Sequence, residues 1–132
     1  MKILLLAIAF SFSISLCKAQ TQYQLDSAEG AKYSNADSEL NTIYKKILKD
    51  YADDTTFIKN LQLSERIWIK FRDAELKMKY PERPEGYYGS VQPMCVAIYL
   101  TQLTEDRINT LKVWIDGIEE GDVCAGSVKR KN

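Results

Sequence analysis

Apolar residues recur at three- and four-residue steps in three stretches of the chain, and no stretch alternates long enough to read as a strand. In the first, Tyr33, Ala36, Leu40, Ile43, Tyr44, Ile47 and Tyr51 share one helical face, with the tyrosines read as core. Ser34 with Asp37 three residues on resembles a capping box, and the pattern also admits a start near Ser27. Gly30 weakens any longer extension. Asp53-Asp54-Thr55 then punctuates the chain and offers an N-cap. The second stretch places Phe57, Leu61, Ser64, Trp68, Phe71 and Leu76 on a buried stripe, widened by Ile58, Ile67 and Ile69. It ends at Lys79 or Tyr80, because Pro81 and Pro84 cannot continue a helix.

Beyond the irregular segment 81–90, Ser90 is a candidate cap and Pro93 falls in the permissive first turn of a third helix. Its apolar positions, from Val96, Leu100 and Leu103 to Leu111, Trp114, Ile115 and Ile118, repeat as far as Gly117 or Gly121. Asp116, Glu119, Glu120 and Asp122 then crowd the end where the helix dipole disfavours acids, with no local account for them beyond a ligand-facing or fraying end. Three amphipathic helices, one short turn and one longer loop predict an all-α, antiparallel three-helix up-down-up bundle.

The chain opens on Met1-Lys2 and an uncharged apolar run from Ile3 to Leu16. That run is too short for a membrane-spanning helix and suits a secretory signal, with cleavage expected after Ala19. Residues 1–19 are therefore expected to be a cleaved signal peptide, and 20–132 a single helical domain, periplasmic or secreted. The competing expectation is a lipoprotein signal acylated on Cys17, against which bulky Leu16 stands where Gly or Ala is usual. Around Lys129-Arg130-Lys131, residues 125–132 read as a disordered basic tail.

Charge and composition narrow the function classes. The whole chain carries 18 basic and 18 acidic residues; without Lys2 and Lys18 the balance is 16 against 18, or −2. Such a balance argues against a general nucleic-acid or anionic-lipid binder. There is no histidine and there are three cysteines, which removes the commonest general base and most zinc or copper sites, so no metal or cofactor is expected. Cys95 and Cys124 look like an exported disulfide pair, but a helix unbroken from about Pro93 to Ile118 separates its ends by roughly 35 Å. The steps from Ile118 to Cys124 recover at most about 20 Å, whereas a disulfide needs Cα atoms within about 7 Å. Either the helix breaks or the thiols do not pair within one chain; the latter is expected here, which leaves free thiols or a link between chains.

Two constellations carry the candidate chemistry. Trp68 and Arg72, four apart, can stack on one helix face, with Glu65 and Asp73 beside them. Thr104 and Arg107 on the third helix and Asp37 and Asn41 on the first offer matching polar faces, so a layer of Asp37, Arg72 and Arg107 within an apolar core is expected. Its plain reading is structural: it fixes helix register. Acid–base work by Glu65 and Asp37 is the rival, but no nucleophile–base pair, metal cluster or phosphate loop accompanies them, and carboxylates beside arginines make poor bases. No enzyme is expected. The second constellation is the loop, where Glu82, Glu85, Tyr87, Tyr88, Gly89 and Ser90 are the candidate partner-binding residues. Tyrosine gives contact area at little entropy cost and proline stiffens the segment. The alternative is a plain connector.

Ala36-Asp37-Ser38-Glu39-Leu40-Asn41 followed by Tyr44, then Trp68-Ile69-Lys70-Phe71-Arg72-Asp73-Ala74-Glu75, Gly89-Ser90, and Leu103-Thr104-Glu105-Asp106-Arg107 together resemble the LprI-type lysozyme-inhibitor family of exported bacterial domains. The resemblance runs from about Ala28 to Trp114. It implies that Asp37, Leu40, Asn41, Tyr44, Trp68, Arg72, Asp73, Thr104 and Arg107 form the family's structural motif. It further implies an exported envelope protein that binds another protein, foremost a lysozyme-type muramidase. An interaction or adaptor module for a non-hydrolase partner is the alternative. Family members usually carry one cysteine directly after Arg-Asp-Ala-Glu and another just before the Leu-x-x-Leu-Thr run. Here those positions are Leu76 and Tyr99, lost together as a bonded pair would be, and the family's Gly-Gly-Ser is Tyr88-Gly89-Ser90.

Overall fold

A computed structural model describes the backbone of residues 2–131 and the side chains of residues 24–131. The signal peptide expected over residues 1–19, with Cys17 inside it, falls outside the described side chains. The described residues form three helices: α1 (Lys2–Asp50), α2 (Thr55–Lys79) and α3 (Gln92–Asp116). Among the described residues there is no strand, only one isolated bridge between Ile118 and Arg130, so the all-α reading holds.

Local chemistry sets the boundaries. Asp54 accepts a hydrogen bond from the Phe57 amide at 2.9 Å and caps α2. At the other end Pro81 pushes Tyr80 out of the helical region, to φ −125 and ψ 70, and Lys77 and Lys79 sit where the dipole favours cations. α3 departs from expectation at its start: Val91, not Ser90, occupies the cap position, and it makes no side-chain bond. Pro93 carries no amide proton, so an orphan donor there is already removed. α3 stops at Gly117 (φ 70), a conformation that L side chains rarely adopt. The start expected near Ser27 or Ser34 is absent, because α1 runs straight through both. A lone glycine costs a helix about 1 kcal/mol, too little to break it at Gly30.

The core is built from Leu40, Ile47 and Tyr51 of α1, Leu61 of α2, and Ile108 and Leu111 of α3. Buried Ala36 and Ala97 let α1 and α3 approach closely, and these two helices form the tightest pair. Thr104 is fully buried, its hydroxyl donating to the Leu100 carbonyl at 2.7 Å, so no polar atom is stranded. α2 lies against the pair through longer side chains and buries only Leu61 completely. The stripe expected on α2 is accordingly narrower. Phe57, Ile58 and Trp68 pack partly buried against the core, whereas Ser64, Ile67, Ile69 and Phe71 are exposed. Tyr51 is buried, and Tyr33 and Tyr44 are half-buried.

Where the sequence leads one to expect a frayed basic tail, residues 118–131 return to the ends of α1 and α3. The Ile118 amide donates to the Lys129 carbonyl, and the Lys131 amide donates back to Ile118. Trp114 Nε1 donates to Ser127, the Lys129 amide donates to the Tyr51 hydroxyl, and Lys129 Nζ donates to the Asp50 carbonyl. Gly117 makes room for this strap: a Cβ there would stand 2.9 Å from the Lys129 carbonyl oxygen. Cys95 and Cys124 are both free.

Candidate functional site

Three features of the surface could carry function, and each grows from a local sequence device. The first surrounds Trp68. Arg72, one turn on, places its guanidinium 5.5 Å from the indole centroid, and Arg107 of α3 places its own at 5.9 Å. Arg107 also donates to Glu65 at 2.9 Å and to Ser64 at 3.1 Å, and the Arg107–Glu65 pair is nearly buried on both sides. The expected layer is thus only partly assembled. Arg72 is bonded to its neighbour Asp73 at 2.9 Å, and Asp37 lies 3.9 Å away on a more exposed side chain. Asn41 donates to Asp37 at 3.2 Å, and Leu40 enters the core. Glu65 and Asp37 are therefore held by different arginines. Burial pushes the Tyr44 hydroxyl above its ordinary pKa, and the nearby Glu65 carboxylate adds to this while Arg66 opposes it. Arg107, Glu65, Arg72 and Asp37 each have a partner within the protein, which suits a clamp joining α2 to α3.

The second feature is the loop between α2 and α3. Gly86 (φ 79) and Gly89 (φ 76) supply the left-handed turns that coil it. Tyr88 donates its hydroxyl to the Pro81 carbonyl at 2.8 Å, closing the loop on itself. Its ring meets Tyr80 edge-on at 5.5 Å and Tyr87 edge-on at 5.0 Å. Arg83 lies 5.8 Å from the Tyr87 ring. Tyr87 remains 66% exposed, and Glu82, Glu85, Gly89 and Ser90 are exposed as well. The result is a fixed, shallow concavity of about 510 Å³, lined by Tyr80, Pro81, Arg83, Tyr87, Tyr88 and Gln92 among others. Sequence reading singled out the tyrosines and glutamates but passed over Arg83, whose place between two prolines was the available signal.

The third feature was not anticipated. An apolar groove of about 440 Å³ opens between α2 and α3, floored by Phe57, Leu61, Leu111 and Trp114 and rimmed by Asn60, Ser64 and Arg107. It exists because α2 stands off from α3 along this stretch, and no single-helix pattern reports such a gap. Across the other end of the two helices, Tyr99 donates to Glu75 at 2.9 Å while Lys79 sits 3.8 Å from the Tyr99 ring centroid. The bond to Glu75 raises the Tyr99 pKa. Among the described residues no cluster of carboxylates, cysteines or histidines is placed to hold a metal, and no helix is long and apolar enough to cross a membrane.

Comparison with known proteins places these features in a family. No solved structure matches. The chain is similar to an uncharacterized protein of Rhizobium meliloti (strain 1021), at 29% identity over 113 residues, covering 77% of this chain and 79% of that protein. The model of the family described as lysozyme inhibitor LprI matches residues 17–111, a span holding the Trp68 clamp, the Tyr-rich loop and most of α3. The chain belongs to the LprI lysozyme-inhibitor family.

Proposed function

We propose that this protein is an exported, non-catalytic inhibitor of a lysozyme-type cell-wall hydrolase, and that the loop from Pro81 to Ser90 is its inhibitory surface. Residues 1–19 serve as the export signal in this reading, and the periplasm is where the protein acts. The cross-helix pairs fit the up-down-up bundle expected from sequence: Tyr51, Phe57 and Trp114 meet at one end, while Asp37 faces Arg72 and Glu75 faces Tyr99 farther along.

The observation that carries the proposal is the rigidity of an exposed, aromatic loop. Tyr88 is held by the Tyr80 and Tyr87 rings and by the Pro81 carbonyl, which braces the backbone from which Tyr87, Arg83, Glu82 and Glu85 project, and a braced backbone has less entropy to lose on binding. The chemistry suits a muramidase cleft, which works through two carboxylates. Arg83 is the matched group for those carboxylates, Tyr87 has the flat shape of a sugar-binding subsite, and Glu82 and Glu85 suit the basic rim of a cationic lysozyme.

Titration into a lysozyme turbidity assay tests the reading. Inhibition is expected at micromolar concentration. Tyr87→Ala and Arg83→Ala should each weaken it roughly tenfold to hundredfold, the range for central interface anchors, with an unchanged melt. Absence of inhibition across several muramidase types would remove the proposal.

A further inference from the structure

α2 has a second apolar face, pointing away from the core. Leu63, Ile67, Phe71 and Met78 recur at helical steps and are 49%, 57%, 50% and 68% exposed, with Ala74 completing the line. At about 100° per residue they occupy one arc of about 80°, centred roughly 110° around the helix from Leu61 and Trp68. Along one edge of that arc run Lys59, Arg66, Lys70 and Lys77, all exposed and none in a salt bridge among the described residues. The net charge of the chain conceals this row, because it averages over faces.

We infer that the outer face of α2 is a docking surface for an anionic lipid interface, on which the helix lies flat with its apolar stripe inserted and its basic edge among the headgroups. Three observations favour that occupant. The stripe stands on a convex outer rod and is continuous for about 22 Å from Leu63 to Met78, a shape that a deformable plane accommodates along its whole length. The long flexible cations on its edge match diffuse negative charge, and the stripe itself carries no hydrogen-bonding group that would fix the register of a specific partner. A second copy of the chain fits poorly. A two-fold axis that pairs the stripes antiparallel brings both basic edges to the same side. A parallel pairing sets each basic edge against Asn60, Ser64 and Glu75, which hold one carboxylate between them. The inference stands apart from the loop, whose glutamates have the opposite sign.

Co-sedimentation tests it, using protein recovered from the envelope of expressing cells. The vesicles are phosphatidylcholine alone, or phosphatidylcholine mixed with phosphatidylglycerol. Binding is expected only to the mixed vesicles. It should fall by roughly several hundredfold when Lys59, Arg66, Lys70 and Lys77 are all changed to Gln, at about fivefold per cation near the surface. Ile67→Gln with Phe71→Gln should lower it comparably. Circular dichroism checks the fold, and the exposed cation variant keeps the test decisive if the apolar one misfolds. Equal binding by the cation variant, or no binding of the unaltered protein to mixed vesicles, overturns the inference. So does a dimer in sedimentation velocity that the Ile67→Gln, Phe71→Gln variant dissolves. In that case the face belongs to a second copy.

Discussion

Glu65 shows how one side chain can hold two helices in register. Its carboxylate accepts two bonds from Arg107, and the guanidinium in turn lies beside the Trp68 ring. Removing one partner of a nearly buried pair leaves an uncompensated charge, so Glu65→Ala should cost roughly 2–4 kcal/mol in urea unfolding, with Arg107→Ala similar. The double variant should cost less than the sum, because one charge no longer strands the other. Trp68→Ala should cost about 2–3 kcal/mol, below the full-burial range, since the indole is only half-buried. Some of this was legible in sequence. The four-residue spacing of Trp68 and Arg72 predicts their contact because a helix fixes it. The Arg107–Glu65 pair was not, because nothing in α2 alone says which face of α3 it will meet.

The elements were most readable where their ends are set by neighbouring residues. Asp54 and Pro81 bound α2 as the sequence indicates. The width of its buried face was misread, because Ile67 and Phe71 look like core residues until the two neighbouring rods leave them outside. The acids after α3 are the opposite case. Glu119 and Glu120 seemed misplaced against the helix dipole, yet Lys131 and Arg130 of the returning strap pair with them at 2.7 and 3.4 Å. Their partners lie about ten residues away along a fold-back that no helical period encodes.

The strap makes a pH prediction. The bond from Lys131 lowers the Glu119 pKa, so that contribution is present above the ordinary carboxylate range and lost as pH falls through the lowered value. The same bond raises Lys131, whose contribution is lost only as pH rises through its raised value. Protection of the Ile118 and Lys131 amides, corrected for intrinsic exchange, should hold near neutral pH and fall below about pH 4. Gly117→Ala should release the strap and destabilise the protein by about 1–3 kcal/mol, through both the positive φ and the contact with Lys129.

For the molecule as a whole, a small apolar core and one clamp fix three rods, leaving a stiff loop at one place and an apolar, basic ridge along α2. Most family members carry a cysteine pair at the positions of Leu76 and Tyr99. Here the Tyr99–Glu75 bond and the Lys79–Tyr99 contact join the same two helix ends without a covalent link. These contacts keep the two ends of the loop together. The central claim is that the loop, and not α2 or the groove, meets the hydrolase. Hydrogen-exchange footprinting of the protein saturated with an inhibited lysozyme tests it most directly. The account predicts new protection confined to residues 81–90 and the first turn of α3. Protection centred on Leu63–Met78 or around Trp114, with the loop exchanging as before, would contradict it.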